Sequence, residues 1–308
     1  MGPAWGGVNE ALSLSALPPA DCDMAEMTND LRPVAPIFLA DRFAALHPEL
    51  IGLLRGLNQE DWSRPTACAG WSVKDIAAHL LDGSIRRLSF QRDRFSSPSD
   101  DPVETYPELV AYLNRLNAEW VTAARRMSPE VVVQLLELTG PQVAEFFLSL
   151  DPFGPALFSV AWAGEEESLN WFDIAREYTE RWLHQQQIRE AVGAPTLTGR
   201  EWLQPVLDVF LRALPFSFRA LERDAGCAMG IEIQGDAGGD WTLLRASQAW
   251  QLFAGALPHP EASIRLSQDT AWRLLSKGMR AGQARERVTI LGDPDLGNAF
   301  LRTLSVMA

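Results

Sequence analysis

From residue 36 to about residue 193, apolar positions recur at threes and fours, the spacing that puts a buried stripe along one side of a helix. In "PIFLADRFAALHPELIGLLRGL" the stripe is Phe38, Leu39, Phe43, Leu46, Leu50, Leu53 and Leu54. "EDWSRPTACAGW" interrupts the pattern and "SVKDIAAHLLDGSIRRLSFQRDRF" resumes it, with Ser72 and Asp75 in the form of a capping box that starts a second helix at Trp71 or Ser72. After a Pro- and Asp-rich loop, a third helix carries Leu109, Leu113, Leu116 and Trp120 along one side. "SPEVVVQLLELTG" predicts a further short helix opened by Ser128 and Pro129. "PFGPALFSVAWAGEEES", apolar but broken by Gly and Pro, predicts a strand or packed loop, and Asn170 with Asp173 predicts the cap of a last helix ending near Gly193. Four principal helices with an insertion before the last predict a bundle.

Beyond Gly193 the texture changes. One more helical region, interrupted by Pro215, leads into short alternating runs: "GIEIQGD", "DWTLLRA", "AWQLFAG" and "ASIRLS". The first two are joined by the turn-forming "GDAGGD". "QDTAWRLLSKG" reads as an amphipathic helix, "RVTILGD" as another strand and "PDLGNAFLRTLSVM" as a final helix opened by Asp293 and Pro294. The expected architecture is therefore a two-domain α+β chain: a loose tail over 1–34, a helical bundle over 35–195 and an α+β domain over 198–308.

Composition narrows the function classes. A net charge of −13 and no clustered basic patch oppose binding to nucleic acid or anionic lipid, and Lys74 and Lys277 are the only lysines. The three cysteines, Cys22, Cys68 and Cys227, include no CxxC pair, which fits a reducing compartment and argues against a zinc ribbon. The opening 30 residues lack the basic start and continuous apolar segment of a signal peptide, and no later run reads as membrane-spanning. The expectation is a cytoplasmic protein, monomeric or a small homo-oligomer, with no nucleic-acid or membrane partner.

Candidate chemistry rests on few residues. Of the four histidines, His47 and His259 stand beside prolines in apparent chain reversals, where an exposed ring is expected. His79, in "DIAAHLL", flanks the stripe of Val73, Ile76 and Leu80 and reads as a residue at the edge of the bundle interior. Glu180 and His184 lie one turn apart on the last helix, so both side chains emerge on one face. On spacing alone a solvated stripe continued by Asp173, Glu177 and Gln187 is the stronger reading. Against it stands the habit of bundles to assemble metal sites from inward side chains on facing helices. Two histidines and a glutamate suit a divalent ion such as Zn²⁺, while admitting nickel, manganese or iron, and three protein ligands leave a position open for chemistry.

"DWSRPTACAGWSVKDIAAHLL", "LNRLNAEWV", "VAWAGEEESLNWFDIAREYTERWLHQQQIREAVG" and "DTAWRLLSKG…VTILGD" together resemble the mycothiol-dependent maleylpyruvate isomerase family. The resemblance implies a DinB-like four-helix bundle followed by a smaller sterol-carrier-like α+β domain. It implies His79, Glu180 and His184 as metal ligands, and mycothiol as the thiol cofactor acting on a small electrophilic substrate by isomerisation or S-transfer. It also implies an arginine from the second domain over the cleft, for which Arg212 and Arg219 are candidates by position. Asn114 and Asn117 flank the stripe of the third helix and are candidates to face the cavity and the thiol, or equally to cap its mouth or meet solvent. Asp75 serves either the capping box or His79 as an outer partner. Two other readings stay open: a non-catalytic protein that binds metal and an apolar ligand, and a metal-dependent hydrolase.

Overall fold

The computed structural model describes residues 31–95 and 105–306. Its first half is helical: α1 (Phe43–Arg55), α2 (Val73–Arg86), α3 (Tyr106–Ala124), α4 (Pro129–Ser149) and α5 (Asn170–Val192). Helix α2 starts on the capping box read from the sequence, with the Ser72 hydroxyl and the Asp75 carboxylate each accepting a backbone N–H of the other residue. Its last turn widens into a π-type turn over Arg87–Arg92. Helices α1, α2, α4 and α5 bury Leu50, Leu54, Ile76, Leu80, Val132, Leu136 and Ile188 against one another at one end of the bundle. Helix α3 lies mainly against α2, so its predicted stripe of Leu109, Leu113 and Leu116 is only half-buried and Val121 and Ala124 are its buried residues.

The second half holds α6 (Arg200–Leu211), α7 (Leu214–Ser217), β2 (Ala228–Gln234), β3 (Gly239–Arg245), β4 (Trp250–Ala254), β5 (Ala262–Ser267), α8 (Gln268–Leu275), α9 (Ala281–Arg285), β6 (Thr289–Gly292) and α10 (Pro294–Leu301). The strands form a mixed sheet in the order β1-β4-β3-β2-β5-β6, where β1 is Arg32–Pro33, β2 pairs β5 in parallel and the other neighbours are antiparallel. Alternation sets the inner face: Ala262, Ile264 and Leu266 of β5 are buried while Arg265 and Ser267 are exposed. The β2–β3 turn needs its glycines, because a Cβ on Gly238 would stand 1.9 Å from the Ile233 carbonyl oxygen. The α+β arrangement expected from the sequence is present.

One hydrophobic core runs through both halves, from Phe43 and Phe147 through Tyr178 and Trp182 to Trp272, Leu275 and Phe300. The junction is a perpendicular contact of Trp182 on α5 with Trp272 on α8, ring centroids 5.4 Å apart.

Several expectations are revised. Helix α4 is 21 residues long, not short, because Pro141 is carried inside it and the apolar spacing continues through Val143, Ala144 and Phe147. It is the one helix among the described residues long and apolar enough to cross a membrane, a feature missed in the sequence, and 44% of its most apolar stretch is buried inside the protein, against α1 and α2. The apolar insertion after it is a loop with one 3₁₀ turn at Ala161–Ala163, which buries Val160 and Trp162 but leaves Phe153 and Leu157 exposed. Phe38 is exposed rather than part of the first stripe, since helical geometry starts only at residue 40. Asn170 and Asp173 do not cap α5: Asn170 donates to the Asp151 carbonyl, and Asp173 is buried in ion pairs. Arg32 and Pro33, at the end of the stretch read as a tail, pair with Ala254 and Phe253, while residues 1–30 of it lie outside the described residues.

Candidate metal centre

Helix α5 carries polar residues where a bundle helix ordinarily carries its core. Asp173, Glu177, Glu180, His184 and Gln187 follow one another at intervals of four, three, four and three, which is the spacing of an inward stripe. Ile174, Tyr178, Trp182 and Ile188 are buried on its other sides, so the helix is enclosed nearly all round. The solvated stripe that spacing alone favoured is therefore excluded.

Facing it, α2 presents His79, buried to 8% exposure, as is His184. Both Nε2 atoms lie 3.0 Å from one carboxylate oxygen, Glu180 Oε1. The rings meet edge to face with centroids 4.7 Å apart, and the three ligand atoms all lie within 4.8 Å of one another. Glu180 is the open member, with a third of its side chain accessible, so the cluster is reachable from one side. Trp71 covers it, its ring 5.1 Å from that of His79 and 6.5 Å from that of His184.

Without a cation the cluster is held together by protons. Burial opposes ionisation of Glu180, but the two imidazoles outweigh it and hold the carboxyl well below the usual range. Burial also opposes a charge on His184, yet the Glu180 carboxylate beside it pushes its pKa up to about 10. His79 moves the other way, its pKa lowered by burial and then by the neighbouring His184 charge, despite its bond to Glu180. The orientation of His184 has a visible cause: its Nδ1 lies 2.7 Å from Gln187 Oε1, which also accepts from the Cys68 thiol at 3.2 Å. An amide oxygen can only accept, so Nδ1 carries a proton and Nε2 is the nitrogen aimed at Glu180. The Nδ1 of His79 is buried with no partner among the described residues.

Next to the cluster, Arg87 is 3% exposed and bridges α2 to α5, with Nη1 2.6 Å from Asp173 Oδ2 and Nη2 3.1 Å from Glu177 Oε2. Arg181 closes the network, donating to Glu177 and to Ser84. These buried pairs fix the spacing of the two ligand-bearing helices.

The remaining candidates have partners elsewhere. Asp75 is taken up by the cap and by Arg125, leaving nothing for His79. Arg212 donates to the Ala35 carbonyl and lies over the Trp171 ring, which precedes Glu180 by about 13 Å along α5. Arg219 folds onto the Phe216 ring and carbonyl. Asn114 is exposed, while Asn117 accepts from Arg86 at 2.9 Å. His47 lies inside α1 rather than at a reversal, its ring pressed on Gly140, and burial lowers its pKa to about 4. His259 is exposed in a loop, as expected. Two neighbours of the centre went unassigned in the sequence: Gln187, three residues after His184, and Arg86, seven after His79 on the same row of α2. Their spacing from the ligands was the available signal.

The fold has counterparts among known proteins. Residues 43–189 match the family model described as mycothiol maleylpyruvate isomerase N-terminal domain. No curated protein matches the sequence significantly. Crystal structures of the mycothiol-dependent maleylpyruvate isomerase and of a point mutant of it each align with a TM-score of 0.51 at 11% identity, covering 82% of this chain and 90% of theirs. At that identity the likeness is one of fold. Residues 43–189, which carry all three clustered side chains, belong to the mycothiol maleylpyruvate isomerase family through its N-terminal domain.

Proposed function

We propose that the chain is a metal-dependent enzyme that uses a low-molecular-weight thiol, mycothiol, for isomerisation or S-transfer on a small electrophile. The observation that carries this reading is the convergence of His79 Nε2 and His184 Nε2 on Glu180 Oε1, at 3.0 Å each. Two imidazoles and a carboxylate from facing helices are a ligand set for a divalent ion, and Zn²⁺ suits its nitrogen-rich character. When bound there, such an ion stabilises a thiolate at neutral pH.

The chain's own residues supply the rest. His79, Glu180 and His184 offer three ligand atoms and leave room for a fourth, while Gln187 holds the His184 ring in its liganding tautomer. Trp71 screens the two rings from water. In isomerisation the thiolate adds to a cis double bond conjugated to a carbonyl. A C–S bond forms and the electron pair moves to the carbonyl oxygen. Rotation about the resulting single bond and expulsion of the same thiolate then give the trans product, with no net redox change. In S-transfer the enolate instead takes a proton from water at the carbon next to the carbonyl, and the adduct leaves with its sulfur attached.

Metal analysis tests the site: purified protein should hold about one divalent ion per chain, and His79→Ala or His184→Ala should bring it near zero. Turnover of maleylpyruvate that requires added mycothiol tests the chemistry. Full metal retention in both variants, or equal turnover without thiol, would overturn the reading.

A further inference from the structure

Arg86 is held by one edge only. Its Nη2 lies 2.7 Å from Asp82 Oδ2 and donates to Asn117 Oδ1 at 2.9 Å, with 21% of the side chain accessible. Asp82 and Asn117 are its partners among the described residues, so the Nε and Nη1 donors are left over. Asp82, from the same helix, and Asn117, from α3, fix the plane of the guanidinium.

Its position puts Arg86 on the face of α2 that carries His79. His79, Asp82 and Arg86 stand at i, i+3 and i+7, one row on α2. The Arg86 backbone lies about 10 Å further along the axis than that of His79, and helical side chains lean back toward the N-terminus, carrying the guanidinium toward the imidazole. Arg212 and Arg219 lie elsewhere, at Ala35 and Phe216. In a chain of net charge −13, a half-buried arginine with spare donors beside a cation site is the feature that would draw an anion.

We propose that Arg86 is the anion-binding residue of this centre, taking a carboxylate of the electrophile on the guanidinium edge that Asp82 and Asn117 leave free. The class of ligand is a small carboxylic acid whose reactive carbons then lie between Arg86 and the His79–Glu180–His184 cluster. Its identification as the electrophile rests on the proposed thiol chemistry; the anion site itself does not.

The two are separable by experiment. Maleate is titrated calorimetrically into metal-loaded wild-type protein, Arg86→Gln and Arg86→Lys, with dimethyl maleate as the uncharged control. Maleate should bind wild type and lose about 10- to 100-fold in affinity in Arg86→Gln, with an intermediate loss in Arg86→Lys, which keeps the charge but not the fork. Bound metal and the far-ultraviolet circular dichroism should be unchanged in both variants. Equal maleate affinity in wild type and Arg86→Gln, or no maleate binding by wild type, overturns the assignment. Arg86-dependent maleate binding without any thiol-dependent turnover would sustain the anion site and dismiss the thiol chemistry.

Discussion

Gln187 Oε1 stands 2.7 Å from His184 Nδ1, and this one contact decides which face of the imidazole a cation would meet. Gln187→Leu keeps the volume and removes the acceptor, freeing the ring to rotate and change tautomer. Metal affinity measured by chelator competition should fall about 10- to 100-fold, with no loss of helix content. Unchanged affinity would show that the amide does not orient the ring.

Metal uptake should release protons. With its pKa raised to about 10, His184 is protonated at pH 7 in the metal-free protein and must give up the Nε2 proton to bind a cation. His79, kept neutral by burial, needs only to move its proton between nitrogens. Calorimetry in buffers of different ionisation enthalpy should find about one proton released per ion at pH 7, with affinity rising as pH rises toward 10. Release of none would refute the protonated state of His184.

Arg87 with Asp173 and Glu177 forms a buried network in which each side chain is at most 8% exposed. Arg87→Met would take away the arginine that links the two helices and leave Asp173 to Arg176 and Glu177 to Arg181. The expected loss of stability is about 1–3 kcal/mol, visible as a drop in the urea midpoint. Asp173→Asn, which leaves Glu177 to pair with Arg87, should cost less.

The contact of His47 with Gly140 predicts both a steric and a pH effect. A Cβ on Gly140 would sit 2.1 Å from the His47 ring, so Gly140→Ala should cost about 1–3 kcal/mol. Adding His47→Ala should recover part of it, a non-additivity that denaturant titration can measure. Burial lowers the folded pKa of His47 from 6.5 to about 4. The unfolded chain therefore takes up a proton that the folded one refuses as pH falls below 6.5, and stability declines between about 6.5 and 4. His47→Gln should flatten that part of the pH–stability curve.

Much of this was legible in the residues because local signals and global packing agree. Ser72–Asp75 and Asp293–Pro294 open helices where their chemistry predicts, and the alternation in "ASIRLS" marks an inner and an outer sheet face. The candidate ligand triplet came from residue types matched to a known family. What spacing alone could not decide was burial. Asp173, Glu177 and His184 have the composition of a solvated stripe, and only the enclosure of α5 by apolar residues on its other sides reverses that reading. The same limit hid Arg86, because an arginine becomes informative only once its partners account for some of its donors and not for others. Pro141 and Pro48 misled for a different reason: tertiary burial of Val143, Phe147 and Leu50 outweighs the hydrogen bond each proline removes from its helix.

The Trp182–Trp272 contact makes the helix that carries Glu180 and His184 common property of both halves of the chain. The two turns of α5 that hold Glu180 and His184 have Trp182 between them, braced from behind by the sheet-side helix. A chain cut after Gly193 would leave that indole facing water, and the ligand pair would lose its backing along with it. Metal loading and sheet integrity should thus be felt mutually: an ion captured at the histidines would slow hydrogen exchange in α8, far from any atom it touches.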